Sequence, residues 1–281
     1  MKIAIVTDST SDLPYDIASQ YDIHIVPNLL MIAGETILDD QSFSRNDFYS
    51  QLPQMKSLPT TGTASVGTYQ KLYNDLLSQG AEHVISIHPA YGLSGILNAA
   101  TTASQDFDGK VTVIDSQQIS LGLGFQALEA AEAVKQGLAL DKIIAHIDSV
   151  RQRIGLVAML DTLEFLRRSG RVSWARAGLG SLLKIKPFVE VKNGVVQKMG
   201  ETRTRSKGIE RLIKLIREQG QLDRLAILHS NAETEARQIL ESLNIQVSTS
   251  PLVVNITTVI GSHVGPKGLG FVALAKQPAS R

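Results

Sequence analysis

Cysteine is absent from the 281 residues. Its absence excludes disulfides, thiolate metal sites and a cysteine nucleophile. Aromatic residues make up only 5% of the chain, with a single Trp, so Leu, Ile and Val must line any large apolar space. No apolar run reaches the roughly 18–20 uninterrupted residues of a membrane-spanning helix. Neither sign of charge dominates: 28 Lys and Arg stand against 27 Asp and Glu, a net charge of +1. Such a balance gives no reason to expect nucleic acid as a partner. The six His are scattered without metal-ligand spacing, so no metal site is expected. The N-terminus enters a strand pattern at once, without a basic and then apolar leader, and a cytoplasmic location is the expectation.

What is present is the composition of a globular α/β protein, 43% hydrophobic and 20% charged. The length exceeds one ordinary core, and two domains are predicted, residues 1–154 and 155–281. In the first, strand patterns alternate with helical ones, which argues for a parallel α/β sheet. The strands are read at 2–7, 23–26, 84–87 and 110–114. Residues 28–40 read as a hairpin turning at Ala33-Gly34. Ser44 and Ser65 stand where they would cap helices. Four polar loops, at 8–12, 60–65, 92–95 and 115–118, are expected at the carboxyl ends of the sheet strands, where such folds bind ligands. The second half reads as α+β. It has a hairpin at Asn193-Gly194, a strand at 245–248, and a Gly-rich loop at 261–270 before a last strand.

Residues 84–100, VISIHPAYGLSGILNAA, carry the strongest local signal. A β-branched run is broken at Pro89 and Gly92, and an Ala-rich helix opens at Ile96. Ser94 and Gly95 lie at the start of that helix. Unpaired backbone N–H groups and the helix dipole favour an anion there. The same residues equally suit a plain helix cap.

Three chemistries can be weighed. No GxxxxGK[ST] is present, and Gly122 and Gly124 lack both a third glycine and a preceding strand, which argues against nucleotide binding. Ser94 could be a nucleophile in a serine hydrolase of lipid esters, with His263 as base and Asp115 or Asp161 as acid. The GxSxG elbow, however, is missed by one position. Alternatively, Thr60, Thr61 and Ser94 from the first half and Arg203, Arg205 and His263 from the second could hold one carboxylate at the domain seam. A sensor of small carboxylates is a third form of the same site.

Eight segments, in order, resemble the DegV family of fatty-acid-binding proteins, to which the FakB carrier subunits of bacterial fatty-acid kinase belong. They are TDSTSDLP at 7–14, PTTGTASVG at 59–67, LSG at 93–95 and VIDS at 113–116. The second half adds LEFLRRSGRVS at 163–173, LLKIKPFVEVKNGVV at 182–196, RTRSKGIERL at 203–212 and IGSHVGPKGLG at 260–270. The resemblance implies a two-domain carrier that encloses a long-chain fatty acid, with Thr61, Ser94, Arg203 and His263 at its carboxyl group. Thr60, Gly95 and Arg205 are additional candidates. It implies no catalytic residue and no cofactor in this chain. An ATP-binding kinase subunit would phosphorylate the bound acid, docking on Arg167, Arg168, Arg171 and Arg176. A monomer without a membrane span, touching membranes at most transiently, is expected. The chain departs from the family pattern at Gly62, Ala64 and Ile96, and in the longer loop at residues 88–92.

Overall fold

The computed structural model describes residues 1–170 and 185–277. The chain opens with β1 (Ile3–Asp8), which is buried almost throughout, as a central parallel strand covered on both faces must be. A tight turn at Ser9–Ser11 leads to α1 (Tyr15–Gln20) and β2 (Ile23–Val26). Next come β3 (Leu29–Ile32) and β4 (Glu35–Leu38), joined by Ala33 and Gly34, both at positive φ. That is the two-residue turn a right-twisted hairpin prefers. Helix α2 (Arg45–Gln51) is capped by the Ser44 hydroxyl, which accepts the Asp47 N–H.

Then follow β5 (Thr60–Gly62), α3 (Val66–Ser78), β6 (His83–His88), α4 (Ile96–Ser104), β7 (Val111–Asp115), α5 (Leu121–Lys135) and α6 (Leu140–Arg153). Ser65 caps α3 by accepting the Thr68 N–H. The second half runs β8 (Ile154–Met159), α7 (Glu164–Ser169), β9 (Lys186–Lys192), β10 (Val195–Thr202), α8 (Arg205–Arg217), β11 (Leu222–His229), α9 (Glu233–Ser242), β12 (Leu252–Asn255), α10 (Thr258–Val264) and β13 (Leu269–Ala275). Asn193 and Gly194, at φ 50 and 76, make the β9–β10 turn.

These strands form a parallel sheet of order β2-β1-β6-β7 and a mixed sheet of order β10-β9-β8-β13-β11-β12. A small antiparallel sheet, β4-β3-β5, stands apart from both. The fold is therefore mixed α/β, with a parallel-sheet domain and a mixed-sheet domain. Three apolar layers hold it together. One face of the parallel sheet packs Val6 and Val84 on Tyr69, Tyr73, Ile96 and Ala100 from α3 and α4. The opposite face presents Ile5, Ile85 and Ile87 to α5, and the same cluster continues into Leu156, Leu228 and Val272 of the mixed sheet. Helix α5 lies between the two sheets and is buried nearly all round, which is why its sequence shows no polar face. Beyond the mixed sheet, Val157, Ile227 and Phe271 meet Leu212 and Ile216 of α8 and Ala236 and Ile239 of α9.

Three expectations are corrected by the fold. Residues 60–62 are a strand paired antiparallel with β3, Thr61 opposite Leu30, instead of a loop at the end of the parallel sheet. Residues 245–248 make only an isolated bridge, Val247 to Leu222, and the edge strand is β12. The stretch read as a Gly-rich loop is helical from Thr258 to Val264, so His263 projects from the last turn of α10. Gly261 is in that helix for packing reasons: a Cβ there would lie 2.2 Å from the Tyr49 hydroxyl oxygen of α2.

Candidate functional site

Between the parallel sheet's loops and the inner face of the mixed sheet lies a cavity that is open to solvent at its mouth. Its apolar wall follows from strand alternation. Leu156 and Ala158 of β8, Val189 and Val191 of β9, Leu228 of β11 and Gly270 of β13 share the face turned toward α10. Ile256, Val259, Ile260 and Val264 close the other side, and Leu166 of α7 joins them.

One group of polar residues in this wall is drawn from three elements. Thr61, Gly62 and Thr63 come from β5 and the residue after it, Ser94 and Gly95 from the start of α4, and His263 from α10. The Thr61 hydroxyl oxygen stands 3.0 Å from Nε2 of His263. Gly95 adjoins Thr63, since a Cβ on it would meet the Thr63 methyl group at 3.7 Å. The Ser94 oxygen accepts the Ile96 N–H at 3.2 Å, which leaves its own hydrogen available to donate. Gly95, the cap residue of α4, offers no side chain, and Ser94, Gly95 and Ile96 all line the cavity, so the positive dipole end of the helix lies at its wall. Hydroxyls, an imidazole and a helix N-terminus together suit a single carboxylate.

The loop that carries Ser94 is anchored by a buried chain of hydrogen bonds. Asp8, at the end of β1, accepts Nδ1 of His88 at 2.8 Å, and Nε2 of His88 meets the Ser86 hydroxyl at 2.7 Å. Tyr73 donates to the same hydroxyl at 2.8 Å. Asp8 also accepts the Thr10 N–H and hydroxyl and the Asn28 amide. His88 thereby ties the end of β6 to the end of β1, and Pro89 starts the cavity loop from a fixed point. Although Asp8, His88 and Ser86 form an Asp–His–Ser series, all three are fully buried, so no substrate reaches the serine.

The hydrolase reading finds no support in this geometry. His263 Nε2 is engaged by Thr61. Asp115 accepts the Gln117 N–H at 2.8 Å and the Tyr91 N–H at 3.4 Å. Asp161 is paired with Lys186 at 2.5 Å and Arg205 at 3.5 Å. Both acids are thus committed to other partners.

The remaining predicted residues fall outside the cavity wall. Thr60 is exposed at the start of β5, and Arg203 is exposed where β10 passes into α8. Neither lines the cavity; Arg203 lies past the end of β10 at Thr202, just before α8. Arg205 is taken up by Glu235, through two bonds of 2.6 Å, and by the Lys267 carbonyl. Arg167 and Arg168 are exposed on α7, the latter 3.4 Å from Glu164. Arg171 and Arg176 lie outside the described residues.

Several wall residues were not singled out from sequence: Thr10, Thr63, Ser120, His229 and Ser230. Burial lowers the His229 pKa to about 4, and its Nδ1 accepts the Ala232 N–H, so the ring is a neutral Nε2–H tautomer at ordinary pH. Sequence contained no signal for it beyond a His at a strand end. Among the described residues no group of His, Asp and Glu could hold a metal ion, and no helix is long and apolar enough to cross a membrane.

Comparison with known proteins bears directly on this cavity. Residues 2–276 match the family model described as an uncharacterised protein of the DegV family. Protein DegV of Bacillus subtilis is 35% identical over 277 residues, covering 96% of this chain and 98% of that protein. A DegV family protein from Thermus thermophilus, solved for its fatty acid binding, superposes with a TM-score of 0.90 at 33% identity, covering 98% of this chain and 100% of that one. The structure of Bacillus subtilis DegV, described as a fatty acid binding protein, gives 0.86 at 33% identity with the same coverage. Family, fold and full-length coverage agree, and the chain belongs to the DegV family.

Proposed function

We propose that this protein binds a long-chain fatty acid, with the acyl chain in the apolar cavity and the carboxyl group among Thr61, Ser94 and His263. One observation carries the reading: an aliphatic cavity whose wall brings the Thr61, Ser94 and His263 side chains together from β5, the start of α4 and α10. A carboxylate entering there exchanges the Thr61–His263 bond for two bonds to its own oxygens and accepts the Ser94 hydroxyl. At roughly 0.8 kcal/mol per buried CH₂, the tail supplies most of the gross binding energy, and the polar cluster sets direction. The fatty acid binding described for the Thermus and Bacillus relatives supports this reading.

In the finer form of the proposal, the chain is a non-catalytic carrier that presents the carboxyl group to a separate ATP-binding kinase subunit in the cytoplasm, for conversion to an acyl phosphate. Support comes from the family resemblance and from α7, whose Leu166 lines the cavity while Arg167 and Arg168 face outward over the same wall. Denaturing extraction and mass spectrometry of the purified protein test the first part. A co-purified free fatty acid is expected. A protein that arrives empty and hydrolyses lipid esters would overturn the assignment.

A further inference from the structure

Helix α10 is tied to the small sheet β4-β3-β5 at both ends. At its C-terminal turn His263 meets Thr61 of β5. At its N-terminal turn the Thr258 hydroxyl donates to Asp39, the residue after β4, at 2.7 Å. The other Asp39 oxygen accepts the Ser9 hydroxyl at 2.6 Å. A second carboxylate, Asp12, accepts the Thr257 N–H at 2.6 Å and the Ser120 hydroxyl at 2.5 Å. Both aspartates are buried, at 1% and 3% exposure, and neither lines the cavity. Burial of two carboxylates is costly unless their hydrogen bonds are well placed. Here one bond to each carboxylate comes from the first residues of one short helix, Thr257 and Thr258, where the dipole favours negative charge.

Thr258 and His263 are five residues apart, about 7.5 Å along the axis. A tilt of about 10° about the N-terminal turn moves the far end by about 1.3 Å. That is enough to break a 3.0 Å hydrogen bond. Tyr49 adds to the constraint by donating to the Ile256 and Thr257 carbonyls at 3.1 and 3.2 Å.

We infer that Asp12 and Asp39 are positioning residues for the carboxylate site: they set the angle of α10 and thereby hold His263 opposite Thr61. The inference rests on the carboxylate-binding reading above and adds to it two residues remote from the ligand.

The test separates head-group geometry from general loosening. Affinity for oleic acid and for oleyl alcohol is measured by calorimetry in the wild type, Asp39→Asn, Asp12→Asn and Thr258→Val. Acid and alcohol bury the same tail, so a merely structural defect weakens both alike. The inference predicts that the wild-type preference for the acid falls about ten-fold in each variant, with alcohol affinity within two-fold of wild type. Thr258→Val reports on the same contact from the helix side should either aspartate variant fail to fold. An unchanged acid-to-alcohol ratio in folded variants overturns the positioning role. A wild type with no preference for the acid overturns the carboxylate site itself, a separate result.

Discussion

Thr61 and His263, 202 positions apart in sequence, face each other at 3.0 Å across the seam between the small antiparallel sheet and α10. Their pairing makes each residue's contribution to ligand binding dependent on the other. Thr61→Val and His263→Ala should each weaken fatty acid binding by roughly ten- to a hundred-fold, the value of one or two charge-assisted bonds. The double variant should lose clearly less than the sum of the two single losses, because both groups bond one carboxyl group. Titration calorimetry of the four proteins checks this; strict additivity would separate the two residues functionally.

Ser94→Ala should cost a comparable factor in acid affinity without altering the fold, since among the described residues the hydroxyl's structural bond is to the Ile96 N–H. A long-chain fluorophosphonate should leave Ser94 unlabelled, because His263 Nε2 is engaged by Thr61 and Asp115 and Asp161 are committed elsewhere. An adduct that disappears with His263→Ala would restore the hydrolase assignment.

Asp12 makes a pH prediction. Burial raises its pKa from 3.8 to about 7, against the lowering effects of Arg45, Ser120 and the Thr257 N–H; Asp39 adds a smaller upward push. The folded state therefore binds this proton more tightly than the unfolded chain. The resulting stability is fully present below about pH 4 and is lost as pH rises through about 7. Asp12→Asn removes that dependence. Urea unfolding between pH 5 and 8 should show wild-type stability falling relative to Asp12→Asn, by at most about 1.4 kcal/mol per pH unit. Parallel profiles would contradict the assignment.

Gly261→Ala tests the close approach of α10 to α2. Its methyl group would sit 2.2 Å from the buried Tyr49 hydroxyl oxygen, so one helix must move. A loss of about 1–3 kcal/mol is expected from the denaturation midpoint, together with weaker acid binding. An unchanged midpoint would show that α10 is less constrained than its contacts indicate.

Arg167→Glu with Arg168→Glu addresses the kinase partner. Both side chains are exposed on α7 and away from the cavity lining, so fatty acid affinity should be retained. Acyl-phosphate formation with the kinase subunit should fall, and the wild-type rate should drop with added salt. Unchanged formation by the variant would remove α7 from the docking surface.

Local rules made much of this chain legible before any tertiary contact was known. Gly34 and Asn193-Gly194 announce their hairpins because Gly and Asn are among the few residues that tolerate positive φ. Ser44 and Ser65 mark helix starts because their hydroxyls satisfy nearby N–H groups. What failed was decided by distant partners. Gly261 reads as loop like Gly265 and Gly268 after it, yet Thr257 caps a helix that runs through Gly261 to Val264, and its first turn is held by Asp12 and Asp39, more than 200 residues away. Thr61 reads from sequence as part of a polar loop, yet it lies on a strand, since nothing local reveals that β5 pairs with β3. Arg205 looked like a ligand group because charge alone does not disclose a prior commitment to Glu235.

The central claim is that the apolar cavity is the acyl-chain site. Ala158 sits on its wall, and Ala158→Phe would project a ring into the acyl path while leaving the polar cluster in place. Calorimetric titration of delipidated protein with oleic acid should show one site in the wild type and none in Ala158→Phe, with both proteins folded by circular dichroism. Binding that survives in Ala158→Phe, or a wild type that binds no acid from C12 to C20, would contradict the account.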